Sequence, residues 1–113
     1  MVKKNTCVFI SGQGSNLNNL ILRSREKNFP IQISLIISNN KKAYGSIYAK
    51  KFKIPYLLIN TNLHNYENKI LLNLQKYNIS FICLAGFMKI ISSNIIKVYK
   101  KKIINIHPSL LPK

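Results

Sequence analysis

Lys4-Asn5-Thr6-Cys7-Val8-Phe9-Ile10 is a short apolar run that ends at Ser11-Gly12-Gln13-Gly14, after which Ser15-Asn16-Leu17 opens a stretch with Leu17, Leu20 and Ile21 on one helical face. Strand, glycine loop and helix form the first unit of an α/β pattern, and the rest of the chain goes on alternating extended apolar runs with amphipathic stretches. Pro30 introduces a second buried strand, Ile31 to Ile37, and Ala43 to Phe52 reads as the next helix, stopping before Ile54-Pro55. Tyr56 to Ile59 makes a third strand, and Asn65 to Tyr77 places Ile70, Leu71 and Leu74 on one side of a third helix. Ile79 to Ala85 is almost wholly apolar, as suits a central parallel strand covered on both faces. Ser92-Ser93 can cap a fourth helix through about Lys100, and Ile103 to His107 forms a fifth strand before Pro108. The pattern predicts an α/β fold, an open, doubly wound, Rossmann-like parallel sheet of about five strands, with its ligand crevice beyond their carboxyl ends.

A chain of 113 residues can form one core that buries roughly 65% of its unfolded surface, and no repeat, linker or domain boundary interrupts this one. No apolar stretch reaches the roughly 18 residues of a membrane span, because Lys, Asn or Ser breaks every candidate. The first residues lead straight into a strand, without the long apolar region and cleavage site of an export signal. Cys7 and Cys83 each sit inside an apolar run, where buried free thiols are commoner than a disulfide framework, so a reducing cytoplasm is the simplest expectation.

Eighteen Lys plus Arg against 2 acids, Glu26 and Glu67, give a net charge of +16. The lysines are scattered, from Lys41-Lys42 and Lys50-Lys51 to Lys97 and Lys100 to Lys102, mostly at positions expected on exposed helix faces. Ile, Lys and Asn, all with codons rich in A and T, make up 50 of the 113 residues, which fits compositional drift as a source of the charge. Solvated helix faces are favoured over a nucleic-acid or anionic-surface role, and steering of an anionic substrate is a third reading. The sequence has no aromatic-and-basic stripe of the kind on which single strands stack.

The loop Gly12-Gln13-Gly14-Ser15-Asn16 has two glycines for a tight turn and a following helix whose free N–H groups suit a phosphate. A plain strand-to-helix turn and a monophosphate site both fit it. The dinucleotide fingerprint fails, because Leu17 occupies the third glycine's place and the second strand ends in Ser38-Asn39-Asn40 without an acid for a ribose. A nucleoside triphosphate loop fails as well, for want of a following Lys-Ser or Lys-Thr. No metal is expected, since His64 and His107, like the two cysteines, are far apart in sequence and no carboxylates cluster.

Asn105-Ile106-His107-Pro108 is the most informative segment for chemistry. Side chains two apart leave the same face of a strand, so Asn105 and His107 should stand together at the carboxyl end of the fifth. Pro108 holds His107 extended, and Pro108 and Pro112 together stiffen the loop after it. An amide beside an imidazole can donate to an oxyanion while the ring donates or shuttles a proton, although a lone histidine near a strand end is more often structural.

Three blocks in this order resemble the glycinamide ribonucleotide formyltransferases of purine biosynthesis: Ile10 to Leu17, Leu84-Ala85-Gly86-Phe87-Met88-Lys89-Ile90-Ile91, and Asn105 to Lys113. Ile37-Ser38-Asn39 and Ala43-Tyr44-Gly45 add weaker likeness. Related formyltransferases acting on methionyl-tRNA lack the Gly-Gln-Gly-Ser-Asn loop, and formyltetrahydrofolate deformylases share only the fold and the Asn-x-His pair. The resemblance implies the formyltransferase fold, with phosphoribosylglycinamide as substrate and 10-formyltetrahydrofolate as formyl-donating cosubstrate. It implies that Gly14, Ser15 and Asn16 bind the ribonucleotide phosphate and that Met88, Lys89, Ile90 and Ile91 line the folate pocket. It makes Asn105 the oxyanion stabiliser and His107 the proton donor, as the substrate amine attacks the formyl carbon.

The chain departs from the family's pattern in three respects. It corresponds to the N-terminal part of the domain, so residues 1–113 are expected to stop after about five strands. An apolar sheet edge would then be left exposed, and a partner chain or C-terminal half would supply what is missing. The family's catalytic Asp lies in that half, and this sequence has no Asp. Leu63, beside His64, replaces a cofactor-contacting Arg, and Lys89 replaces another Arg. A non-catalytic remnant that still binds a phosphate ligand is therefore the alternative to an enzyme.

Overall fold

The computed structural model describes residues 2–11, 15–41, 45–85 and 92–105, with the backbone alone for Ser15, Asn16 and Asn105. Five strands alternate with four helices: β1 (Lys4–Ile10), α1 (Ser15–Ser24), β2 (Ile31–Ser38), α2 (Gly45–Phe52), β3 (Tyr56–Leu58), α3 (Tyr66–Lys76), β4 (Phe81–Leu84), α4 (Ser93–Val98) and β5 (Ile103–Asn105). The strands form one parallel sheet in the order β3-β2-β1-β4-β5. The chain winds outward from β1 through β2 to β3, then crosses back to add β4 and β5 on the other side. The winding therefore reverses between β1 and β4, where such sheets open a crevice at their carboxyl ends.

Alternation along β1 divides the core into two layers. Val8 and Ile10 face Leu17, Leu20 and Ile21 of α1 and Ala49 of α2, whereas Cys7 and Phe9 face Ile70 and Leu74 of α3 and Ile95 and Tyr99 at α4. On β2, Ile33 belongs to the first layer and Leu35 to the second, although residues two apart should share a face. A bulge reconciles them: Thr6 pairs with Ile33 and Cys7 with Leu35, leaving Ser34 over. Asn5 marks the irregularity, its Oδ1 accepting from Gln32 Nε2 at 2.6 Å and from Ser34 Oγ at 3.1 Å.

Several elements are shorter than their apolar runs suggest. Ile79 is drawn into the exit of α3, its N–H donating to Leu74 O at 2.9 Å after Asn78 takes a positive φ of 52°, so β4 begins at Phe81. Ile59 lies just past β3, but its N–H still reaches Ser38 O at 2.8 Å. The expected start of α2 at Ala43 and the end of the fifth strand at His107 lie outside the described residues. Ser92 caps α4 as anticipated, its Oγ accepting from Ile95 N at 3.3 Å, and the helix ends at Val98. Both cysteines are buried and free, and every described lysine is exposed except Lys3, which is half-buried. No described helix is long and apolar enough to cross a membrane.

Candidate functional site

The sheet register gathers the roots of the motif blocks on one edge. Ile10 pairs with Ser38, Phe9 with Leu84, and Leu84 with Asn105, so β1, β4 and β5 finish nearly level. With strands about 4.8 Å apart, the end of β1 and that of β5 are separated by roughly 10 Å, across the crevice that the winding reversal creates. Ser15 is the first residue of α1 and Asn16 the second, so the unpaired N–H groups of that helix end face the same edge. Asn105 is the last residue of β5. Gly14, Met88, Lys89, Ile90, Ile91 and His107 lie outside the described residues. The flanks of the 86–91 segment are anchored, Ala85 by its N–H on Phe9 O at 3.0 Å and Ser92 as the cap of α4.

The root of the glycine loop is held from two sides. Ser11 is buried, and its carbonyl accepts from Asn40 Nδ2 at 2.8 Å. Asn40 is fixed in turn by Ser38, whose hydroxyl accepts the Asn40 N–H and donates to the Asn40 carbonyl, both at 3.1 Å. Beneath, Gly45 begins α2 where a Cβ would collide with the Ile10 side chain and come within 3.2 Å of the Tyr56 ring. Any larger residue there would oblige the tip of the Ile10 side chain to move aside. In the sequence, Ser38-Asn39-Asn40 stands out as a strand end lacking an acid, and Ile37-Ser38-Asn39 as a weaker family likeness. Its Ser-x-Asn spacing is a side-chain turn signal, but the reach across to Ser11 has no local signature.

A cavity of about 330 Å³ lies beside this clasp, bounded by Asn39, Asn40, Lys41, Leu58, Ile59 and Asn60 at the ends of β2 and β3. Two others are remote from the motif edge: one of about 280 Å³ around Lys3, Arg25 and Gln32 at the amino ends of the strands, and one of about 410 Å³ between α3 and α4.

Titratable groups under the edge are kept neutral. Burial pushes the Cys83 thiol up to about 11, and burial together with Cys83 pushes Cys7 well above its ordinary value. Neither is a thiolate nucleophile at neutral pH. Burial, and then Cys7, also raises Tyr99, whose hydroxyl donates to Ile79 O at 2.9 Å. His64 is exposed. Glu26 is exposed just beyond α1, 3.5 Å from Arg23 Nε, and Glu67 is half-buried in the first turn of α3. No three His, Cys, Asp or Glu among the described residues are grouped to hold a metal.

A family model described as formyl transferase matches residues 4–113. The chain is 41% identical to the human trifunctional purine biosynthetic protein adenosine-3, over 97% of this chain and 11% of that protein. It is 38% identical to phosphoribosylglycinamide formyltransferase of Haemophilus influenzae, over 97% of this chain and 54% of the relative, and so spans about half of that enzyme's length. The crystal structure of phosphoribosylglycinamide formyltransferase from Brucella melitensis superposes with a TM-score of 0.86 at 34% identity, covering 98% of this chain and 60% of that one.

Proposed function

The chain belongs to the formyl transferase family, and from that premise we propose that residues 1–113 are the N-terminal part of a formyltransferase domain acting on phosphoribosylglycinamide. The observation that carries the proposal is the level ending of β1, β4 and β5, which brings the roots of all three motif blocks to one crevice. Gly14, Ser15 and Asn16 bind the substrate phosphate, with the N–H groups at the start of α1 as donors. Met88, Lys89, Ile90 and Ile91 contact the folate; the residue before this stretch, Ala85, is bonded to β1, and Ser92 after it caps α4. When bound, 10-formyltetrahydrofolate supplies an electrophilic formyl carbon for the substrate amine. Asn105 donates to the oxygen on which negative charge develops, and His107 manages the proton. Buried free thiols are in keeping with a reducing cytoplasm as the place of work.

A second reading, a ribonucleotide-binding unit without chemistry of its own, is favoured by the acids. The sequence holds only Glu26 and Glu67, and neither lies at the ends of β1, β4 or β5. An imidazole without a carboxylate partner holds its proton less firmly. The two readings separate in one assay, in which the purified chain receives phosphoribosylglycinamide and 10-formyltetrahydrofolate and loss of the formyl group is followed by absorbance. Turnover that falls about a hundred-fold or more in Asn105→Ala and in His107→Ala is the expected result for an enzyme. Binding without turnover supports the second reading, and undiminished turnover in both variants defeats the site assignment.

A further inference from the structure

The end of β2 is tied to the end of β1 by a side chain that belongs to none of the three motif blocks. β1 and β2 stop level, Ile10 opposite Ser38, and the next residue of β1's chain, Ser11, is the last before Gly12-Gln13-Gly14. We propose that Asn40 is a positioning residue for phosphate binding: its side-chain amide pins the Ser11 carbonyl and so sets the direction in which the glycine loop leaves the sheet. The inference rests on the reading of that loop as the ribonucleotide phosphate site.

The clasp is anchored in the sheet itself. Ser38 is fully buried, and its carbonyl takes the Ile59 N–H at 2.8 Å, which fixes it from the β3 side. Its hydroxyl closes a ring with the N–H and the carbonyl of Asn40, so the Asn40 backbone has little freedom of its own. The Asn40 amide then reaches Ser11 O at 2.8 Å across 29 residues of sequence. The peptide it holds is the one that joins Ser11 to Gly12. Glycine as a residue type restricts φ and ψ least, so in a glycine-rich stretch the hold on the preceding peptide carries most weight. A site made of backbone N–H groups binds through their direction, and an error of about 1 Å in placement is costly. Releasing the Ser11 carbonyl should therefore weaken phosphate binding and leave the folate side untouched, because Ala85 and Asn105 are held by β1 and β4 instead.

The test compares the full chain with Asn40→Leu, which keeps the size and loses the donor without adding charge, and with Asn40→Gln, which keeps an amide donor on a longer arm. Calorimetry with phosphoribosylglycinamide and, separately, with the folate cosubstrate is read beside the thermal midpoint. The expected result is a ribonucleotide Kd raised about ten-fold in Asn40→Leu and recovered to within about three-fold in Asn40→Gln, with the folate Kd unchanged. Parent-like ribonucleotide binding by Asn40→Leu overturns the inference. So does a parallel loss of ribonucleotide binding, folate binding and thermal stability, which marks a purely structural role. A parent chain that binds no ribonucleotide defeats the functional reading itself, and the inference falls with it before any variant is consulted.

Discussion

The two flanks of the sheet are built unequally. On one side β1 and β2 pair from Lys4–Ile31 to Ile10–Ser38, with α1 and α2 packed over them and the strand ends tied by Asn40. On the other, β4 and β5 pair only from Ile82–Ile103 to Leu84–Asn105. β5 forms the edge of the sheet, and apolar surface remains open around it, with Val98 64% and Ile104 46% exposed. Two parts of one site are therefore supported differently. The loop proposed to hold the phosphate leaves from the longer-paired flank, where Asn40 ties the end of β2 to that of β1. Asn105 ends a strand that pairs, among the described residues, with β4 alone and leaves Ile104 exposed, the condition under which strands recruit further pairing.

The contrast predicts a graded response to substitution. Phe9→Ala, in the fully buried centre of β1, should cost about 3–5 kcal/mol in urea denaturation. A cost below about 1 kcal/mol would show that the central strand is not the keystone of the sheet. Next comes the pair of thiols on the two central strands. A raised folded-state pKa means that the folded chain holds its protons longer, so stability is full below the ordinary thiol value and falls as pH rises toward about 11 through Cys83, with Cys7 acting in the same direction. The loss should be of order 2 kcal/mol and should be reduced in Cys83→Ala measured over the same pH range. Tyr99→Phe, which leaves the Ile79 carbonyl without its 2.9 Å donor, should cost about 1 kcal/mol. The smallest effect is expected at the open edge, where Ile104→Ser should stay within about 0.5 kcal/mol while lowering any tendency to self-associate in sedimentation. Equal costs at Phe9 and Ile104 would erase the distinction between the flanks.

Much of this architecture was legible because burial and periodicity agree. Lys4 to Ile10 is one apolar run and one strand, and Leu17, Leu20 and Ile21 face inward as their spacing requires. Ser92 could be read as a cap from its type and place alone. The bulge at Ser34 could not, because a strand covered on both faces is apolar at nearly every position and gives no alternation to break. Ile79 reads as part of β4 for the same reason, when an apolar residue after Asn78 serves a helix exit equally well. At the site, the place of Asn105 late in β5 and of Ser15 at the start of α1 were legible from strand and helix patterns. The Asn40 clasp joins segments that only the β1–β2 register brings together, so no local pattern announces it.

The central claim is that the ends of β1, β4 and β5 converge on one ribonucleotide-binding crevice. Backbone amide NMR of the isotopically labelled chain, titrated with phosphoribosylglycinamide, tests it directly. The expected result is a set of shifts concentrated at Gly14, Ser15 and Asn16 and extending across the edge to Asn105. Shifts spread over the lysine-bearing faces of α2 and α4, with the loop and Asn105 unmoved, would contradict it.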